Sequence, residues 1–107
     1  MAETPTVMWP GDTGLSYRYE IYPIGTRFAA RPGNYIFAKK AAPHHWTPIY
    51  VGETANLSLR FHTHQRECIA GNGATHIHAH VSDSSTQARR DEAAAIRRLW
   101  KPPCNEQ

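Results

Sequence analysis

The sequence is poor in cysteine and has neither a long apolar run nor a tract of low complexity. Its two cysteines, Cys68 and Cys104, are too few for a disulfide scaffold and form no CxxC pair. No stretch approaches the roughly 18–20 apolar residues that span a bilayer, and no basic segment followed by an apolar stretch opens the chain. We therefore expect a cytoplasmic protein with no membrane partner, and a single bridge between Cys68 and Cys104 stays open as an alternative.

The composition is that of one ordinary globular domain. The chain has 107 residues, of which 40% are hydrophobic and 20% charged, so disorder and collagen-like structure are poor interpretations. The net charge of +3 permits a partner that carries phosphate, although many small proteins are equally basic without one. Seven histidines are a high count and raise the question of metal binding or proton transfer.

Hydrophobic patterns and turn residues predict several short strands and two helices. Alternation and turn residues predict strands over residues 16–24, 34–39, 49–52 and 75–81, an irregular arm over 1–15 and a loop over 41–48. Asn56 is a candidate cap for a helix that ends near Arg66, and Ser84 with Gln87 fits a capping box for a last helix that ends near Trp100.

Several polar residues stand on faces that are otherwise apolar. Glu92 lies on the apolar stripe of the last helix, where a buried carboxylate would need a cation, a donor or a position at the rim. Arg60 and His64 are one helical turn apart, where a guanidinium could grip a phosphate and an imidazole could move a proton. Each feature taken separately also fits a purely structural role.

The order of these residues along the chain resembles the GIY-YIG nuclease family. The resemblance covers residues 33–105 and rests on Gly33-Asn34-Tyr35, then Tyr50-Val51-Gly52, then a helix with Asn56-Leu57, Arg60 and His64, then Glu92, and finally Pro102-Pro103-Cys104-Asn105. The sequence departs from the family pattern in having Asn34 where Ile or Val is usual and Val51 where Ile is usual. The tyrosines and glycines of both strand motifs are kept.

The resemblance implies an α+β fold with a small antiparallel sheet flanked by helices. Its nuclease core would cover residues 33–107, preceded by an arm with one or more extra strands over 1–32. The implied activity is metal-dependent hydrolysis of phosphodiester bonds. Glu92 would hold one Mg²⁺ or Mn²⁺, and Arg60 would stabilise charge on the phosphate. Tyr35 or His64 would activate the attacking water, and Tyr50 would lie beside the phosphate. Asn105 would brace this network.

The implied partner is DNA, with RNA left open. Candidate contacts with nucleic acid are Lys39, Lys40, Trp46, Arg66 and Arg89. Since each chain would have one site, cutting both strands would need a homodimer or sequential nicks. Two other functions stay in view. One is a module of the same fold that binds nucleic acid without cleaving it, and the other is a metal-binding protein that uses His76, His78 and His80 on one side of a strand.

Overall fold

The computed structural model describes residues 3–59 and 66–105 and confirms the α+β class with an antiparallel sheet. The strands are β1 (Thr6–Pro10), β2 (Ser16–Pro23), β3 (Gly33–Ala42), β4 (His45–Thr54) and β5 (His76–Val81), and the helices are α1 (Arg66–Gly71) and α2 (Thr86–Trp100). Two short 3-10 helices cover Leu57–Leu59 and Pro103–Asn105. The sheet order is β1-β2-β5-β3-β4, and all neighbouring strands are antiparallel.

The first strand corrects the prediction of an irregular arm over residues 1–15. β1 pairs with β2, with Trp9 opposite Tyr17 and Val7 opposite Tyr19. Trp9 is buried while Met8 is exposed, which is the alternation of a strand with one covered face. The strands before residue 33 therefore continue the same sheet as the strands after it.

The hairpin of β3 and β4 corrects the prediction of a loop over residues 41–48. The strands continue to Ala42 and resume at His45, so the turn is only two residues long, and His44 adopts a left-handed φ of 65°. Pro48 lies within the predicted loop, and proline is unusual inside a strand because it lacks an N–H donor. The structure accommodates it where the register shifts between Phe37 and Ala38, on a strand at the edge of the sheet.

The helices agree with the predictions in different degrees. The helix predicted from Asn56 to Arg66 falls largely on residues 60–65, which lie outside the described residues together with Arg60 and His64. The described part holds the 3-10 turn Leu57–Leu59 before this gap and α1 after it. The last helix is confirmed, but its N-cap is Ser85 rather than Ser84, and it ends at Lys101 in a left-handed conformation (φ 49°).

The sheet separates two clusters of buried side chains, because successive residues of a strand point to opposite faces. Asn34 marks the face that α2 covers, since its side-chain amide donates to the carbonyl oxygen of Arg89 at 2.8 Å. The cluster on this face contains Trp9, Tyr19, Ile36, Ala38, Val51, Ala93 and Ile96. The cluster on the other face contains Tyr35, Phe37, Ile49, Leu57, Ile69, Ile77 and Cys104.

A disulfide joins Cys68 in α1 to Cys104 in the last 3-10 helix, with 5.8 Å between the two Cα atoms. The bridge that the sequence left open is therefore present in the structure. Disulfides persist mainly in oxidising environments, and the cytoplasmic location stays a prediction. Within the described ranges, no helix is both long and apolar enough to cross a membrane.

Reduction of the Cys68–Cys104 bridge should destabilise the fold. The bridge closes a loop across a sequence separation of 36 residues, and a cross-link of this length restricts the unfolded chain by about 3–4 kcal/mol. We expect urea unfolding with a strong dithiol reductant to show a lower midpoint than unfolding without it. A variant with both cysteines replaced by serine should not respond to the reductant, and equal midpoints for the two wild-type forms would contradict the prediction.

Candidate functional site

Tyr35 and Tyr50 lie together on the face of the sheet that α2 does not cover. Their ring centroids are 6.1 Å apart. Burial, followed by the neighbouring phenol of Tyr50, raises the pKa of Tyr35 well above the usual value for tyrosine. Tyr35 therefore stays protonated at neutral pH, so its phenol can orient a water molecule or a phosphate but is poorly suited to accept a proton.

Gly52 is the reason why Tyr35 can lie so close to β4. A Cβ atom at position 52 would stand 2.6 Å from both Cζ and Oη of Tyr35. The two residues are directly paired across the strands, so the ring of Tyr35 lies over the bare backbone of Gly52. The Tyr-x-Gly motif thus has a steric basis in this fold.

Asn105 is bonded to the strand that carries Tyr50 and Gly52. Its Oδ1 accepts from the N–H of Val51 at 2.8 Å, and its Nδ2 donates to the carbonyl oxygen of Val51 at 3.0 Å. β4 is at the edge of the sheet, so these two bonds satisfy backbone groups that no further strand pairs. Asn105 therefore braces the backbone between Tyr50 and Gly52 rather than a phenol.

Glu92 lies on the face of the sheet that α2 covers, and the residue is only 7% exposed. Its Oε2 accepts from the hydroxyl of Tyr19 at 2.6 Å and lies 2.9 Å from Nδ1 of His80. The hydrogen bond with Glu92 raises the pKa of His80, while burial acts in the opposite direction. The buried carboxylate thus receives the polar partners that its position on the apolar stripe requires.

The structure does not bring Glu92 together with Tyr35 and Tyr50. Glu92 faces β2 and β5 through Tyr19 and His80, whereas the two tyrosines belong to the opposite side of β3 and β4. The site implied by the resemblance needs Glu92 and the two tyrosines around one phosphate, and the described residues do not form it.

A different hollow lies between α2 and the edge strand β4, and we name it the edge hollow. It encloses about 480 Å³. Its lining residues include Tyr50, Glu53, Arg90, Asp91 and Arg97, and Glu92 is not among them. Two acidic and two basic residues therefore border the same space as Tyr50, whose ring packs with Tyr35 on the other face of the sheet.

The charged groups of the edge hollow already interact with the protein. Glu53 lies 3.3 Å from Nε of Arg89 and 3.6 Å from Nε of Arg90. Asp91 accepts from Nε2 of Gln87 at 2.8 Å. Sequence reasoning missed Glu53 and Asp91 as site residues. The available signals were that Glu53 directly follows the Tyr-Val-Gly motif and that Arg90 and Arg97 are two helical turns apart on one side of α2.

The predicted contacts with nucleic acid are dispersed over the molecule. Lys39 and Lys40 are exposed towards the end of the β3–β4 hairpin, and Arg66 is exposed at the start of α1. Trp46 is half-buried and packs on the imidazole of His78. The buried Arg89 is bonded to Ser84, Thr86 and Glu53, which makes it a structural residue of the α2 start rather than an accessible phosphate ligand.

The histidines of β5 occupy the helix-covered face of the sheet. His78 is fully buried, and its Nδ1 accepts from the indole N–H of Trp9 at 2.9 Å. Burial, with a smaller effect of His76, lowers the pKa of His78 to about 3, so this imidazole is neutral at physiological pH. Across residues 3–59 and 66–105, no group of three or more histidine, cysteine or acidic side chains is arranged to hold a metal ion.

The chain matches no model of a known protein family, no curated protein and no solved structure. A functional assignment therefore depends on the chemistry of the site itself.

Replacing Gly52 by alanine should destabilise the protein, because the new Cβ would overlap the ring of Tyr35. Overpacking of this kind typically costs about 1–3 kcal/mol, and chemical unfolding would measure the loss. Gly71→Ala is a matched control, since a Cβ there meets nothing within 4 Å. Equal stabilities of the two variants would show that Tyr35 can move aside freely.

The contact of His80 with Glu92 should make stability depend on pH. Because the folded pKa of His80 is raised above its ordinary value of 6.5, the contact contributes fully below that value and is lost as the pH rises through the folded pKa. The buried His78, whose pKa is lowered to about 3, makes stability rise with pH below 6.5, so the measurement starts above that value. The difference in unfolding free energy between the wild type and His80→Gln should shrink as the pH rises from 6.5 to 9. A difference that stays constant over this range would refute the prediction.

Proposed function

We propose that the protein is a metal-dependent endonuclease that hydrolyses DNA phosphodiester bonds in the edge hollow. The observation that carries the proposal is that two basic residues, two acidic residues and Tyr50 line one space next to a strand edge. Guanidinium groups bind phosphate oxygens, and carboxylates bind divalent cations. A phosphodiester and an ion need both kinds of partner in the same place.

The acidic residues that line the edge hollow suit magnesium or manganese, which bind carboxylate oxygens. They suit zinc or copper less well, since these ions take several nitrogen or sulfur ligands. Mg²⁺ commonly binds through one or two carboxylates, keeps several waters and takes further oxygens from the phosphate of the substrate. Glu53 and Asp91 provide this number of carboxylates at the hollow. When bound, the ion would neutralise the phosphate and stabilise the leaving 3′-oxygen.

The chain's own residues would position the phosphate and the water. Arg90 and Arg97 would hold the non-bridging oxygens, and Tyr50, which borders the hollow at the edge of β4, would orient the attacking water or the phosphate at its rim. Tyr35 would pack against the ring of Tyr50. It would stay protonated there, because burial raises the pKa of Tyr35. Of the two residues that the resemblance offers as proton acceptor, His64 then fits the role better than Tyr35.

The proposal gives Glu92 a positioning role and transfers the metal to the carboxylates of the edge hollow. Glu92 directs its Oε2 to Tyr19 and His80, beneath α2. Asp91, its neighbour on the helix, is exposed and lines the hollow. Adjacent side chains on a helix point about 100° apart around its axis, so Asp91 and Glu92 lie on different surfaces of α2.

A second candidate function is a module that binds nucleic acid without cleaving it. The position of Glu92 favours this alternative, since the carboxylate that the family resemblance assigns to the metal does not line the hollow. The basic side chains around the hollow would then serve binding only.

Nicking of supercoiled plasmid in Mg²⁺, with EDTA as the control, tests the nuclease proposal. We expect Asp91→Asn and Tyr50→Phe to slow nicking on the order of 10²-fold, because each removes a group that acts on the phosphate or the ion. Glu92→Gln should keep its nicking activity under conditions where it is folded, while its stability falls.

Each other outcome has a distinct meaning. Loss of nicking in folded Glu92→Gln, with full activity in Asp91→Asn, would return the metal to Glu92. Binding of DNA without nicking by the wild type would overturn the nuclease and support the binding module. Neither binding nor nicking would overturn both.

A further inference from the structure

A second hollow adjoins the edge hollow at the C-terminal end of α2, and we name it the C-terminal hollow. It encloses about 530 Å³ and is lined by Ala94, Arg97, Arg98, Lys101 and Asn105. Ala94 and Arg97 also line the edge hollow. The two hollows therefore lie side by side along α2 with Arg97 bordering both, and together we name them the α2 depression.

The C-terminal hollow differs from the edge hollow in its charge. None of the described residues that line it is acidic, whereas Glu53 and Asp91 border the edge hollow. Arg98 is held by Asp12 through bonds of 2.6 and 3.1 Å, so its charge is already matched. Among the described residues, Arg97 and Lys101 are the lining cations in no recorded ion pair, which points to an anion without an accompanying metal ion.

The spacing of the basic side chains along α2 fits successive phosphates of a nucleic-acid strand. With a rise of 1.5 Å per residue, the four residues from Arg97 to Lys101 span about 6 Å, and the eleven from Arg90 to Lys101 span about 16 Å. A strand of duplex DNA carries one phosphate per roughly 3.4 Å along its axis. The α2 depression is therefore long enough for the reacting phosphate and at least one more on the same strand.

We infer that the C-terminal hollow is a second phosphate-binding subsite, in which Lys101 contacts the DNA backbone about two nucleotides from the phosphate in the edge hollow. The inference rests on the proposed function and names its substrate class, which is a polynucleotide rather than a short diester. Lys101 acts as a positioning residue, since it grips the strand away from the reacting atoms.

The backbone of Lys101 allows a clean substitution. Its left-handed conformation (φ 49°) ends α2, and its N–H donates to the carbonyl oxygen of Arg97 at 2.8 Å. Asparagine tolerates this conformation better than most residues. Lys101→Asn should therefore remove the charge while leaving the helix end intact, and Lys101→Arg should retain the charge.

The test is the salt dependence of binding to a short DNA duplex, measured in EDTA so that no cleavage occurs. Lys101→Asn should weaken binding severalfold and reduce the slope of log K against log salt by about 0.9, the value for one lost phosphate contact. Lys101→Arg should restore the wild-type slope. Arg18→Gln is the matched control, because it removes one exposed charge from β2, which two strands separate from β4.

An unchanged slope in Lys101→Asn would overturn the subsite even if the protein nicks plasmid normally. A reduced slope in a protein that does not nick would retain the subsite and reject the nuclease. An equal reduction in Arg18→Gln would show that only overall charge matters, and the subsite would again be rejected. Repeating the measurement with an RNA duplex of the same sequence shows whether Lys101 contacts the phosphates of DNA or of RNA. A reduced slope with RNA alone would overturn the assignment to DNA.

Discussion

The buried carboxylate of Glu92 constrains much of this structure. A charge at this depth is tolerated only with partners, and Tyr19 on β2 and His80 on β5 are those partners. The contact acts together with the bond from Asn34 to the carbonyl oxygen of Arg89 to hold one side of α2 against the sheet. Arg90 is two residues from Glu92 along the helix, which turns its side chain by about 200°. With Glu92 in the interior, Arg90 is exposed, and its Nε lies 3.6 Å from Glu53 of β4.

The sequence was informative where one local pattern sufficed. The alternation in β5 and the cap and breaker residues of α2 predicted those elements almost to the residue. It was less informative where pairing with distant strands decides the structure. Nothing local to residues 6–10 shows that Trp9 will be buried, because the side chains that contact it come from α2 and β5. Pro48 misled the prediction of the hairpin, since a bulge on an edge strand removes the need for its missing N–H.

The candidate site shows the same division. Tyr35, Tyr50 and Gly52 meet because their strands pair directly, which a hairpin prediction already implies. Helical periodicity placed Glu92 on the inner stripe but did not identify the strands that would lie beneath it. The register of β2 against β5 decides that, and it brings Tyr19 and His80 to the carboxylate. The resemblance covers residues 33–105 and assigns Glu92 to a metal. It contains no information about Tyr19, whose hydroxyl donates to Glu92 from outside that region.

The hydrogen bond from Tyr19 to Glu92 limits how far the chain can be shortened from its N-terminal side. A fragment that begins at Gly33 would retain every motif of the resemblance, yet it would lack the hydroxyl that donates to Glu92. It would also uncover the side of β5 that now pairs with β2, leaving a row of open backbone groups that invites association with other chains. Engineering of this fold by trimming or fusion should therefore leave the segment from Thr6 onwards in place.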